Sequence, residues 1–325
     1  MDPARHQAPS SRHAPARQGF AFLLASLTAV LGGVAFSGGR SLAAAGGQDP
    51  AVGLRDWAVE RRGSQAEVDG DVLRVSGGKG WIRADGLFLD FALRFEFRLA
   101  TDDASGAILL RIGQPSLPGR WPASGYRVAV SRSAAPEELT GAVRAYGAPL
   151  RAIKLAAGQP LPVGEWQQAE VRLEGDRLTF TLNGTVVTIV EGSEPLAGRV
   201  GIEGTRGSIE YRSVWVTPTG SVGCAALPRP DDGDAAPMTL ARARHEVRPL
   251  YTLDALERKV MGTVAVEAVV EPDGSVASAC VRRGLDPDLD VQALAAAKRW
   301  RFWPGTRDGR PAQSTVTIDM EFRLK

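Results

Sequence analysis

From Asp90 to Ala100 the chain alternates without a break. Phe91, Leu93, Phe95, Phe97 and Leu99 fall on one side of an extended segment, and Ala92, Arg94, Glu96 and Arg98 on the other. A period of two with one polar face describes a strand covered on one side only, and such strands belong to antiparallel sheets. Shorter runs of this kind recur at 107–112, 126–130, 168–173, 177–182, 185–190, 200–203 and 208–216. Asn183-Gly184 sits between two of them, the strongest short-range hairpin signal. No long amphipathic helix interrupts the series, so residues 52–219 are expected to form an all-β sandwich.

The pattern changes after an irregular linker at 220–239, rich in Pro, Gly and Asp. Residues 240–325 read as a small α+β domain of order α-β-β-α-β. Thr252 begins a short helix. Gly262 to Val270 alternates as a strand, Pro272-Asp273-Gly274 turns the chain, and Ser275 to Val281 returns. Asp290 is expected to cap a second helix from Val291 to Trp300. Pro304-Gly305 and Asp308-Gly309 are turns, and Val316, Ile318, Met320, Phe322 and Leu324 share one face of a last strand. An antiparallel sheet with helices on one face buries both apolar sets.

The first 45 residues carry Arg5, Arg12 and Arg17, then an apolar stretch from Phe20 to Phe36, then Ala43-Ala44-Ala45. This is the order of an export signal cut after Ala45. An uncleaved inner-membrane anchor is the alternative, since about 17 residues make roughly 26 Å of helix, just enough to span. Either reading puts the remainder in the periplasm.

Charge and composition exclude several classes. Lys and Arg number 39 against 37 Asp and Glu, well mixed, so no basic face for nucleic acid is expected. Of three His, two lie in the leader; with only Cys224 and Cys280 besides, neither a zinc site nor a Ser-His-Asp site is expected. No phosphate-binding loop or other cofactor motif occurs, and no cofactor is expected. The two cysteines are either free thiols or one disulfide.

Two family resemblances follow from ordered motifs. Asp90-Phe91, Ser105-Gly106-Ala107-Ile108-Leu109-Leu110-Arg111, Gly125-Tyr126, Thr140-Gly141-Ala142, Gly164-Glu165-Trp166, Leu182-Asn183-Gly184, Gly198-Arg199-Val200-Gly201-Ile202 and Ile209-Glu210-Tyr211-Arg212 resemble the 3-keto-disaccharide hydrolase domain. The resemblance implies a concanavalin/laminin-G-like jelly roll linked to sugars, with Trp166, which precedes a strand in the family pattern, in its core. The chain departs from that pattern at polar positions, two of them acids: Ala104 replaces Asn, and Arg127, Ala129 and about Arg132 stand where Glu, Gln and Asp are usual. Glycosidic chemistry needs two placed carboxylates, so a binding or structural jelly roll is expected over a working hydrolase. Asp103 and Glu203 are the remaining acid candidates. Arg111, Trp121, Tyr126 and Arg127 are the candidates for holding a sugar.

The second set is Pro249-Leu250-Tyr251-Thr252, Gly262-Thr263-Val264, Asp273-Gly274-Ser275-Val276, Leu289-Asp290, Ala293-Leu294, Lys298-Arg299-Trp300-Arg301-Phe302-Trp303-Pro304-Gly305 and Asp308-Gly309-Arg310-Pro311. It resembles the TonB C-terminal family, which implies a periplasmic module that contacts outer-membrane transporters by adding a strand at a sheet edge. The last strand, with Thr315, Thr317, Asp319, Glu321 and Arg323 on its polar face, is the expected edge. Together these readings give an envelope interaction protein with a sugar-binding-like jelly roll. The alternative is a secreted glycoside hydrolase carrying a docking module.

Overall fold

The computed structural model describes residues 52–53, 57–60, 65–78, 81–113, 124–146, 150–157, 159–220, 222–224 and 238–324. The leader and Trp121 lie outside the described residues. Two antiparallel sheets face each other over residues 52–218. The larger has nine strands among the described residues. Its order is Arg151–Lys154, Thr185–Glu191, Arg177–Leu182, Gln167–Glu174, Phe91–Leu99, Ser208–Pro218, Val72–Ser76 and Gln65–Asp69, with Val52–Gly53 also paired to 208–218. The smaller has six: Trp57–Glu60, Trp81–Ala84, Arg199–Arg206, Ser105–Ile112, Gly125–Ser131 and Val143–Tyr146. Sequence neighbours jump between sheets, as a jelly roll requires.

The alternation at 91–99 does what its period demands. Phe91, Leu93, Phe95, Phe97 and Leu99 enter a core shared with Ile108, Leu110, Val128, Val130, Phe180 and Tyr211. Arg94 and Glu96 stay outside, where Arg94 meets Glu170 at 2.7 Å and Glu96 meets Arg212 at 2.7 Å. Trp166 belongs to this outer surface rather than the core. Its ring lies under the guanidinium groups of Arg98 and Arg212, at 4.9 and 4.1 Å from its centroid. Two arginines cover the indole while keeping their charges in contact with water and carboxylates.

The tail is built on a three-stranded antiparallel sheet in the order Val276–Arg283, Gly262–Val270, Ser314–Phe322. Two helices cover its inner face: α1 (Leu253–Glu257) and α2 (Pro287–Arg299). Thr252 caps α1 by accepting from the Ala255 amide at 3.2 Å. The cap of α2 is Asp286, not Asp290 as expected. Its carboxylate accepts from the Asp288 and Leu289 amides, and Pro287 takes the first helical position, where a missing N–H costs nothing. Asp290 instead accepts from the Leu285 amide at 2.8 Å. Val264, Val266, Ala268, Leu289, Ala293, Phe302, Ile318, Met320 and Phe322 form the core.

Short ribbons add to the α-β-β-α-β order. Arg242–His245 pairs with Arg301–Trp303, and Gly305–Arg307 pairs with Arg310–Ala312 and Met238–Thr239. Asp308 and Gly309 turn the 305–312 hairpin with φ of 53° and 74°, the left-handed geometry that an Asp-Gly pair supplies.

The segment expected to be wholly linker is partly structural. Val222 accepts from the Val281 amide at 2.6 Å. Gly223 pairs in parallel with Val281, and Cys224 is bonded to Cys280. The sandwich also contributes directly to the tail, because Leu89 and Ala197 pack in the tail's core.

Candidate functional site

Three places hold polar groups in unusual settings. The first begins with Asp90, just before the long alternating strand, and Arg111, near the end of 105–112. One extra residue at 110–111 breaks the register against 199–206, and Arg111 takes φ 48°. A bulge re-aims the side chain it carries. The close approach also explains Gly198, where an added Cβ would lie 2.3 Å from the Arg111 carbonyl carbon. Arg111 is fully buried. Its Nε donates to Leu89 O at 2.9 Å, Nη1 to Gly175 O at 2.9 Å and Glu194 O at 2.8 Å, and Nη2 to Asp90 Oδ1 at 3.0 Å. Burial pushes this guanidinium below its ordinary pKa, and the Asp90 carboxylate opposes the shift.

Tyr126 is also buried, and its hydroxyl accepts from the Glu194 amide at 2.7 Å. Burial raises its pKa. Sequence reasoning placed both side chains at a sugar site. In the structure they tie loops together at one end of the sandwich and present no open donor to a ligand.

Asp90 then reaches across to the tail. Its Oδ2 accepts from Lys298 Nζ at 2.5 Å, at the end of α2. Beside this pair lies a cavity of about 260 Å³ lined by Phe88, Leu89, Val222, Ala279 and Leu294, with Cys280 in its wall. Nothing in the sequence spacing signals this junction, since Asp90 and Lys298 belong to different domains.

The second place is the outer face of the six-stranded sheet. Arg127 lies in register with Leu109 on one side and Arg144 on the other, and Glu203 lies in register with Trp81 and Ala107. Arg127 Nε donates to Glu203 Oε2 at 3.4 Å and Nη2 to Gly106 O at 3.3 Å. Thr205 donates to Glu203 Oε1 at 3.2 Å. Glu203 is thus a buried strand residue held by an arginine. Gly201 has no room for a side chain, because a Cβ there would lie 2.3 Å from the Trp81 ring. Tyr146 lies on the same face, and burial followed by the Glu203 charge raises its pKa.

Asp103 is exposed on the 101–104 turn beside Gly207. The face therefore offers Glu203 as a carboxylate already committed to Arg127 and Thr205. Among the described residues no group of three His, Cys, Asp or Glu side chains converges to hold a metal ion.

The third place is the edge of the tail's sheet. Ser314–Phe322 pairs with Gly262–Val270 on one side only, among the described residues. Thr315, Thr317, Asp319 and Glu321 stand on its outer face, and Thr317, Asp319, Glu321 and the following Arg323 are exposed. On the opposite edge, Val222 and Gly223 lie beside Val281, and Cys224 is bonded to Cys280.

Residues 50–217 match the family described as the 3-keto-alpha-glucoside-1,2-lyase-like domain. Residues 247–324 match the Gram-negative bacterial TonB protein C-terminal family. Protein TonB of Vibrio cholerae is 31% identical over 81 residues, which are 25% of this chain and 33% of that protein. The chain thus spans about a third of that relative's length. Among solved structures, a Parabacteroides distasonis protein assigned as a glycosyl hydrolase aligns at a TM-score of 0.42 and 15% identity, over 52% of this chain and 91% of that one. A carbohydrate binding module from Bacillus subtilis aligns at 0.37 and 16%, over 49% and 93%.

Proposed function

From a chain that belongs to the 3-keto-alpha-glucoside-1,2-lyase-like domain family over residues 50–217 and matches the TonB C-terminal family over 247–324, we propose a cell-envelope adaptor. Its tail docks onto an outer-membrane transporter by strand addition along Ser314–Phe322. Its jelly roll engages carbohydrate without hydrolysing it, and the leader delivers both domains to the periplasm. The observation that carries the docking half is the one-sided pairing of Ser314–Phe322. An edge strand with unmet N–H and C=O groups is a template for an incoming extended segment. The carbohydrate half is supported by the replacement of the family's usual acids at Arg127 and about Arg132 and by the engagement of Glu203 with Arg127.

Site-specific photocross-linking in an envelope preparation tests the docking half. A photoreactive residue at Thr317 is expected to yield adducts with outer-membrane transporters, while one at Arg283 on the opposite edge is not. Equal labelling from both positions, or none from Thr317, removes strand addition as the docking mode. Incubation of the whole protein with 3-keto and ordinary disaccharides tests the other half. Binding without turnover is expected; turnover abolished by Glu203→Gln would replace the adaptor by the hydrolase.

A further inference from the structure

We infer that the segment accepted by the free edge is a two-faced strand, with basic side chains on one face and apolar side chains on the other. This rests on the strand-addition reading above and specifies its partner.

The sheet itself shows that it accepts an added segment through main-chain bonds. On the opposite edge Val222 and Gly223 lie beside Val281, with the Val281 amide donating to Val222 O at 2.6 Å. The chain supplies that segment from its own linker. For Ser314–Phe322 no described segment does so.

The two faces of the free edge differ in chemistry. On the outer face Thr317, Asp319 and Glu321 lie in register with Glu267, Ala265 and Thr263 of the neighbouring strand. Glu267 is neutralised by Arg282 at 2.5 Å, and Glu321 contacts Arg323. Asp319 forms no ion pair among the described residues. Arg283, in register with Ala265, lies two strands away from it, roughly 10 Å off. A strand laid beyond Ser314–Phe322 would come closer, at roughly 5 Å, with its outward side chains directly beside Thr317, Asp319 and Glu321. Basic residues at those positions gain; acidic ones are repelled.

The inner face is apolar. Ile318, Met320 and Phe322 are buried there, and Tyr251 stacks edge-on against Phe322 at 5.3 Å between centroids. α1 lies on this side through Ala255, a core residue. It leaves Leu253 and Leu256 exposed, and its flanks leave Leu250 and Met261 exposed. Met261 is next to Gly262, which pairs with Phe322 at the end of the free edge. Inward side chains of an added strand would lie beside the apolar row Ile318, Met320 and Phe322. Alternation on the partner follows from period two: a side chain facing Asp319 cannot also face the apolar side.

The test uses the full chain with its disulfide intact and capped peptides of about eight residues. One alternates Val with Lys, one alternates Val with Glu, and a third repeats the first with alternate backbone nitrogens methylated. Binding is followed by fluorescence anisotropy at about 0.05 M and about 0.5 M salt. The Lys peptide is expected to bind about ten-fold more tightly than the Glu peptide at low salt, with the gap closing at high salt. The methylated peptide, which cannot complete the ladder, is expected not to bind. The double variant Asp319→Lys, Glu321→Lys is expected to invert the preference, with an unchanged circular dichroism spectrum. Equal affinity for Lys and Glu peptides, both lost on methylation, would overturn the inference and leave strand addition standing. Binding of neither peptide, or binding insensitive to methylation, would overturn strand addition and this inference with it.

Discussion

Arg111 illustrates how one side chain can be misread from its residue type. At the end of a strand, beside a Gly-Tyr motif, an arginine suggests a ligand contact. Its bulged, left-handed backbone instead turns it inward to three loop carbonyls and Asp90. Replacing it by Met keeps bulk but removes the donor to three carbonyls and one of the donors to Asp90, which keeps Lys298. Arg111→Met is therefore expected to cost about 3 kcal/mol, read by denaturant unfolding, because a buried pair has lost one partner. Glu210 makes a different prediction. Burial opposes its ionisation, but hydrogen bonds from Arg74 and Arg98 outweigh burial and hold its pKa below the ordinary carboxylate range. A carboxyl with a depressed folded pKa contributes stability above its unfolded pKa, near 4.3, and loses it as pH falls through the folded value. Glu210→Gln should then be destabilising by about 2 kcal/mol at pH 7 and nearly neutral well below pH 4, as measured by urea unfolding at both pH values. A cost independent of pH would mean that shape, not charge, holds this site.

At the level of elements, the disulfide gives the clearest expectation. Cys224 and Cys280 close a loop with a sequence separation of 56. Chain entropy alone assigns about 4 kcal/mol to such a link. Cys224→Ser with Cys280→Ser should lower stability by that order, and hydrogen exchange should speed up at the Val281 amide, which donates to Val222. Unchanged protection at Val281 would show that the short strand holds without its covalent tie. These elements also show what was legible. The strands at 91–99, 177–182 and 185–191 were readable because period two and Asn183-Gly184 are local signals. Thr252 was readable as a cap for the same reason. The cap of α2 was misplaced because Asp286 and Asp290 are both plausible in composition, and only Pro287 separates them. Trp166 was misplaced because its cover comes from Arg98 and Arg212 on two other strands. The role of 222–224 was hidden because three residues show no periodicity. The register of Arg127 against Arg144, and of Glu203 against Trp81, is a property of strand order that no local pattern encodes.

For the whole molecule, the sandwich and tail share structure rather than a tether alone. Lys298 bonds to Asp90, Gln292 donates to Ala197 O at 3.5 Å, and Leu89 and Ala197 sit in the tail's core. Calorimetry should therefore give one unfolding transition for the oxidised protein. Reduction combined with Lys298→Ala should split it into two, since both the covalent and the ionic links are then gone. Two transitions in the untreated protein would mean that the shared core contributes little. The Val276–Arg283 edge carries one more consequence, which concerns valence. A sheet with one open edge is monovalent: it can cap a partner strand and stop there. A fragment cut at Leu240 would lack Val222 and Cys224, baring both edges and freeing the Cys280 thiol. Such a unit is divalent, and divalent units joined edge to edge grow into chains. The few residues beside Val276–Arg283 thus separate a protein that terminates an assembly from one that would propagate it.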